Sequence, residues 1–400
     1  MISVEEALEA VLSLAAPLGA EAVPLRRSGG RVLAEPVVAG HDQPPFAASA
    51  MDGYAVRSED ARPGAALRLI GEAAAGRPFA GRVEPGTAVR ILTGAPVPEG
   101  AGRVVIQEEA RREGERVTLA LALGEGANVR PAGGDFRAGA RIEAPAWMTP
   151  ERVALAAAMG CAEPAVARRP AVALLATGDE LAPPGEPLGE GQIVASNAYG
   201  LAAMVEAEGG EARLLPIARD DRASLEAAFA LAQGADLLVT IGGASVGDHD
   251  LVAPVAASLG VEMAFHKVAM RPGKPLMAGR LGRLALLGVP GNPVSAMVCG
   301  RVFMVPMIRR MLGLDPTART LALPLAEPLG PNGPRRHYMR ARRVGGGVAA
   351  SERQDSSLLS VLALSDLLLV RPPHDPGRGA GERVECLPLG RWFDTERERS

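Results

Sequence analysis

Lysine occurs only twice in this chain, at Lys267 and Lys274, and both fall in one run, Lys267-Val-Ala-Met-Arg271-Pro-Gly-Lys274-Pro. Every other one of the 43 basic residues is arginine. Where lysine is so consistently replaced, two survivors beside a Pro-Gly turn point to a site that needs a compact, rotatable ammonium. An ammonium acts on phosphate or other oxyanions as a point charge, whereas guanidinium is a rigid planar fork. The chemistry they imply is local anion binding.

Three glycine-rich segments extend that reading. They are Thr177-Gly178-Asp179-Glu180, Thr240-Ile-Gly242-Gly243-Ala-Ser245-Val-Gly-Asp248-His-Asp250, and Gly288-Val-Pro290-Gly-Asn-Pro293-Val-Ser295. Glycines let backbone N–H groups close on an anion, and a helix N-terminus adds a favourable dipole. Glu180, Asp248 and Asp250 would repel a bare anion. They make sense with a divalent hard cation bridging carboxylate to phosphate, as magnesium does with few protein ligands. Asp179 and Asp248 are equally suited to capping a turn. His249 and His266 lack partners at metal-ligand spacing, and no nucleotide-binding glycine fingerprint is present. Upstream, Ser49-Ala-Met-Asp52-Gly-Tyr54-Ala places an acid and a phenol on a tight turn. Asn128-Val-Arg130-Pro-Ala-Gly-Gly-Asp135 forms an arginine–aspartate loop.

The elements that must position these residues fall into distinct stretches. Ser3 and Glu6 form a capping box on a first helix. Residues 20–40 read as short strands, and 41–129 as β-like runs between Gly/Pro turns. Thr149, Pro150 and Gly160 bracket a helix. From Pro170 apolar strands alternate with helices: strands at 171–176, 213–217, 236–241, 261–268 and 284–288, helices from 196 or 197, at 221–233, 251–259 and 293–312. That pattern predicts a parallel sheet covered on both faces, with ligands in the crevice outside the strands' carboxyl ends. Residues after about 317 read as a small all-β unit.

Composition removes several function classes. Aromatic residues are 3% of the chain and the net charge is −3, so neither stacking platforms nor a basic field for nucleic acid are expected. No apolar run reaches membrane-spanning length, and the acidic N-terminus does not resemble a secretion signal. Cys161, Cys299 and Cys386 are far apart, which predicts buried free thiols and a cytoplasmic setting.

Taken in order, Ser49-Ala-Met-Asp-Gly-Tyr-Ala, Thr93-Gly-Ala-Pro-Val-Pro, Asn128-Val-Arg, Thr177-Gly-Asp-Glu-Leu, Gly242-Gly-Ala-Ser-Val-Gly-Asp, Arg271-Pro-Gly-Lys-Pro and Pro290-Gly-Asn-Pro-Val-Ser resemble the molybdopterin molybdenumtransferase family, related to the C-terminal part of gephyrin. The resemblance implies an elongated multidomain α/β plus β subunit. Its parts would be a linker and dimerisation domain (1–40 with 130–169), a β-rich domain (41–129), a parallel-sheet molybdopterin-binding α/β domain (170–315) and a small β-barrel-like domain (316–400). It implies a homodimer whose active site is completed by the partner's β-rich domain, and molybdopterin adenylyltransferase as upstream partner. The implied reaction inserts molybdate into adenylylated molybdopterin with magnesium, releasing AMP; a non-catalytic molybdopterin-binding scaffold is the alternative. By the same resemblance Asp52, Asp135, Glu180, Asp220, Asp250, Lys267 and Lys274 are catalytic, with Glu180, Asp220 and Asp250 on the metal. Thr93, Arg130, Thr177, Gly178, Gly242, Gly243, Ser245, Arg271, Pro290, Pro293, Arg335 and Ser356 would bind cofactor or oxyanion. The chain departs from the family pattern at Gly102, at Gly134, at Arg271 in place of a lysine, and at Asp355, whose charge is expected to repel an oxyanion.

Overall fold

The computed structural model describes residues 1–243 and 251–390. Its architecture is a series of separate sheets, several helices and short connections, and it is multidomain α/β plus β. The first helix, Val4–Ser13, carries the expected capping box: Glu6 N–H donates to Ser3 Oγ at 3.1 Å and Ser3 N–H to Glu6 Oε2 at 2.7 Å. Such a cap is worth about 1 kcal/mol.

The alternating strands and helices after Pro170 form a six-stranded sheet in the order Glu211–Leu214, Ala171–Ala176, Leu237–Ile241, Leu284–Val289, Met277–Leu281, Glu262–His266. The first four run parallel; Ala171–Ala176, Leu237–Ile241 and Leu284–Val289 are nearly continuous apolar runs buried from both sides, while the edge strand Glu211–Leu214 is largely exposed. The expected all-parallel sheet is thereby corrected. Met277–Leu281 turns back through Gly282 and Arg283 into Leu284–Val289, and Glu262–His266 pairs antiparallel with it. A parallel connection needs a crossover of a dozen or more residues, so a two-residue link can only make a hairpin. The strand expected at 213–217 lies at Glu211–Leu214 instead. The long helical run after Pro290 is continuous from Pro293 to Met311 but passes through a π-turn at Gly300–Met304.

A second six-stranded sheet holds the Asp52 segment, in the order Arg103–Ile106, Gly53–Val56, Thr87–Ile91, Ala66–Ala73, Arg116–Leu119, Ala110–Glu113. Each face packs its own apolar cluster, one around Tyr54 and Val105, the other around Ile91 and Val104. A small sheet joins Ala20–Ala22 and Val32–Leu33 to Ala146–Trp147 and Ala165–Ala167. The C-terminal sheet runs Met270–Arg271, Arg336–Val344, Leu367–Arg371, Arg383–Pro388, Leu321–Pro324, with Gly347–Ala350 on Arg336–Val344. Its edge strand therefore comes from the lysine-bearing loop. One apolar core runs without a break from Val4 and Val11 through Leu174 and Phe303 to Leu368 and Leu387, so the first helix, the α/β sheet and the C-terminal sheet pack as one body. No helix among the described residues is long and apolar enough to cross a membrane. Cys299 and Cys386 are buried free thiols as expected, while Cys161 is half-buried.

Candidate active site

The α/β strand order reverses direction at Ala171–Ala176, which has the next strand of the chain on one side and the third on the other. Such a switch point leaves a crevice at the strands' carboxyl ends. A cleft of about 760 Å³ opens there. Thr177, Gly178, Glu180, Asp220, Gly242, Gly243, Pro290 and Pro293 all line it, so eight residues singled out from sequence share one cleft. Backbone ladders fix the floor. Thr177 N–H donates to Ile241 O at 3.0 Å, Gly178 N–H to Ala218 O at 3.1 Å, and Gly242 N–H to Val289 O at 3.1 Å. Gly242 has φ 94°, and a Cβ there would lie 2.8 Å from the Thr177 carbonyl oxygen. Only glycine lets these two strand ends approach so closely.

The acidic side of the cleft is Glu180 and Asp220, both exposed. Asp179 reaches across to another segment, accepting from Asp220 N–H at 3.4 Å. Two carboxylates on an open wall suit a magnesium ion, which takes one or two protein oxygens and completes its shell with water and substrate phosphate. Ser245, Asp248, His249 and Asp250 lie outside the described residues. Among the described residues no three His, Cys, Asp or Glu side chains gather at metal-binding distance.

The cationic side comes from the loop between Glu262–His266 and Met277–Leu281. Val268 N–H donates to Lys274 O at 3.1 Å and Lys267 N–H to Leu276 O at 2.8 Å, which ties the two lysine positions across a closed loop. Lys267 is half-buried with φ 79°, while Arg271 and Lys274 are exposed. Neither lysine lines the cleft itself, but Pro275, next to Lys274, does. Arg271 pairs in register with His337, and Arg335 Nη1 donates to Met270 O at 3.4 Å. Burial first, then the charges of Arg271, Arg340, Arg371 and Arg335, pushes His337 down to about 4, so the imidazole is neutral at physiological pH. Four guanidiniums thus surround one neutral histidine behind the lysine loop.

Ser356 is not among the residues lining the cleft but is tied beside it: Val294 N–H, next to the lining residue Pro293, donates to Ser356 O at 3.1 Å. Asp355 does not point its charge outward unengaged. Its Oδ1 accepts from Ser357 N–H at 2.8 Å and Ser357 Oγ–H at 2.7 Å, and these two donors hold its carboxyl below the usual range. Asn197, Asn292 and Ser357 also line the cleft and escaped the sequence reading. Asn197 Nδ2 donates to Gly291 O at 2.6 Å, linking two walls. Its signal was the expected helix start; that of Ser357 was adjacency to Ser356.

Asp52, Thr93, Arg130 and Asp135 sit on the other side of the sequence and on other sheets. Thr93 N–H and Oγ1–H both donate to Asp52 Oδ1 at 2.7 Å, leaving Oδ2 outside that pair of bonds. The hydroxyl first, then the amide, holds the Asp52 carboxyl below the ordinary range, so it is an anion at neutral pH. Gly53 has no room for a side chain against the Val105 carbonyl, which keeps the Asp52 turn close to the sheet. Arg130 lies on the two-residue bridge Val129–Arg130 with Ala48–Ser49, and Ser49 O accepts from Gly94 N–H at 2.9 Å. The bridge connects Arg130 to the Thr93 turn. Asp135 is exposed, anchored by its N–H to Gln43 O at 2.9 Å. None of the four is among the residues lining the cleft of the same chain.

Similarity to known proteins covers all these parts. Residues 2–160 match "MoeA N-terminal region (domain I and II)", 173–310 match "Probable molybdopterin binding domain", and 322–389 match "MoeA C-terminal region (domain IV)". A molybdopterin molybdenumtransferase of Nostoc sp. is 40% identical over 304 residues, 74% of this chain and 70% of its own length. That of Synechococcus elongatus is 33% identical over 404 residues, 97% of this chain and 100% of its own. Among solved structures, the molybdopterin biosynthesis MoeA protein of Pyrococcus horikosii superposes with a TM-score of 0.85 at 30% identity, covering 98% of this chain and 100% of its own. The chain belongs to the molybdopterin molybdenumtransferase family.

Proposed function

We propose that the protein is a transferase that inserts molybdenum from molybdate into molybdopterin, giving the molybdenum cofactor. The observation that carries the reading is the cleft at the sheet's switch point, where seven motif residues and Asp220 converge. The substrate is adenylylated molybdopterin, and AMP is the leaving group.

The backbone of Thr177–Gly178 and Gly242–Gly243 cradles the substrate's phosphates, with Pro290 and Pro293 shaping the opposite wall. Lys267, Arg271 and Lys274 supply positive charge toward oxyanion oxygens, and Arg335 with Ser356 closes that end. Glu180 and Asp220, together with Asp250, would hold magnesium, which would supply positive charge to the phosphate oxygens of the substrate. Asp52 acts as an anion that orients the attacking water or oxyanion. Thr93, Arg130 and Asp135 hold the geometry around it.

A cleft on one chain and an acid cluster on another sheet fit a homodimer in which each active site draws on both subunits. Molybdopterin adenylyltransferase then acts upstream, and the reaction takes place in the cytoplasm.

The test is AMP release from adenylylated molybdopterin with magnesium, with and without molybdate. Molybdate-dependent AMP release, with metal retained on the pterin, is the expected result. Tight pterin binding without AMP release makes the protein a scaffold, and no pterin binding removes the ligand assignment.

A further inference from the structure

Arg340 is completely buried in the middle of the strand Arg336–Val344. Arginine is almost never fully buried unless it is paired. The hydrogen bond that satisfies its head goes to a main-chain oxygen, from Nη2 to Asp355 O at 3.0 Å. Its Nε and Nη1 are buried without a hydrogen-bond partner. So costly a placement is out of proportion to one strand's packing needs. It becomes intelligible from where the bond leads.

The turn beginning at Gln354 is fastened to the same residue a second time. Arg340 N–H donates to Gln354 Oε1 at 3.0 Å, and Gln354 Nε2 donates back to Arg340 O at 3.0 Å and to Ser351 O at 2.7 Å. The side-chain amide thus takes the place of a neighbouring strand's peptide group. Beyond it, Ser356 O receives Val294 N–H, and Ser357 lines the cleft. Farther back along the same edge, the one facing away from Leu367–Arg371, the strand pairs with the lysine loop, Met270 with Arg336 and Arg271 with His337. One strand edge therefore places two groups side by side: Arg271 by backbone register, and Ser356–Ser357 through Arg340 and Gln354.

We propose that Arg340 and Gln354 are positioning residues that latch the turn Gln354 to Ser357 at the oxyanion end of the cleft, along the strand edge that also carries Arg271. The proposal deepens the function inferred above and rests on it for its substrate. Neither residue touches the reacting atoms; both act through where they hold Ser356 and Ser357.

Two variants and two readouts test it. Gln354→Ala removes three hydrogen bonds, and Arg340→Lys keeps the charge while losing the fork that reaches Asp355. In steady-state AMP release, the KM for molybdate is expected to rise roughly tenfold or more, as for a misplaced contact. The kcat at saturating molybdate and the KM for adenylylated molybdopterin are expected to stay within about twofold, a pattern that general loss of structure does not give. Amide hydrogen exchange reads the latch without substrate. Exchange at Val294 and Ser357 is expected to speed up in both variants, while the strand amides of Leu368 and Leu369 keep wild-type protection. The proposal is overturned if both KM values rise together, or if either folded variant leaves exchange at Val294 and Ser357 unchanged. A wild-type protein without molybdate-dependent turnover would sink the functional reading instead, and the exchange experiment would still decide the latch.

Discussion

The cleft beside Thr177 and the turn beside Asp52 present their acids in opposite ways. Glu180 and Asp220 stand on the wall of a concave site that topology creates, where parallel strands end at a switch point. Asp52 stands on a turn at the end of a strand, its carboxylate tied down by Thr93 and the rest of it facing outward. A concave site can hold a ligand with its own residues. A convex turn can act on one only when another surface brings the ligand to it. Under the proposed homodimer, the two acid groups on different sheets are two halves of one site, joined between subunits.

The strongest way to break that comparison is to remove Asp52. Asp52→Ala is expected to lower molybdate-dependent AMP release by roughly 10²- to 10⁴-fold, the usual worth of a positioned acid–base group. Pterin binding and thermal unfolding should stay as in the unaltered protein, because the side chain is bonded only to the Thr93 turn. Mixing Asp52→Ala and Glu180→Ala chains sharpens the result. If each site uses both subunits of a two-fold dimer, the mixed dimer has one intact site, and an equal mixture recovers about a quarter of full activity. No recovery would mean that Asp52 and Glu180 serve the same chain.

Changing the cleft's own acids comes next. Glu180→Gln and Asp220→Asn are each expected to cost on the order of 10²-fold in AMP release. Raising magnesium should restore part of the loss if the carboxylates hold the metal. Activity that falls equally at all magnesium concentrations would assign them to another task. Lys274→Ala is expected to do less, weakening molybdate saturation about tenfold through one lost charge-assisted contact. Its effect on pterin affinity should be smaller. Equal losses in both would place the lysine on the pterin phosphate.

These two regions also differ in how much of them the sequence disclosed. The cleft was legible because its signals are local: an apolar run and then glycines, three times over, with an acid in two of the three. Strand ends and helix starts fell within a few residues of where the pattern put them, and Thr149 caps Pro150–Ala158 as its sequence indicates. What failed to show was pairing between distant segments. Met277–Leu281 reads weakly as a strand because Gly279 and Arg280 interrupt its apolar residues, and its place is set by its hairpin partner. Met270–Arg271 joining the C-terminal sheet has no local signal at all. Arg340 looks like any surface arginine in an arginine-rich stretch until the strand is seen to bury it. Asp355 shows the opposite case, a charge the sequence displays and the geometry preserves: the two Ser357 donors hold the carboxylate in its ionised form.

The smallest effect expected is also the most specific to the convex half. Thr93 gives Asp52 two hydrogen bonds to the same oxygen, and the hydroxyl's is the larger cause of the lowered carboxyl affinity for protons. An ordinary aspartate titrates near 3.9, so Asp52 is charged well below neutral pH. A depressed carboxyl favours the folded, ionised form above its ordinary value, and that contribution disappears as pH falls through the folded-state value. Thr93→Ala removes the hydroxyl and keeps the amide, so the Asp52 value should move up toward the ordinary one without reaching it. The acid limb of the pH–rate profile should then shift to higher pH, with the rate at neutral pH nearly unchanged. Carboxyl-carbon titration by NMR would report the same shift directly. A shifted acid limb with an unmoved Asp52 titration would assign that limb to a cleft carboxylate, and the convex half would then contribute position but not the titrating group.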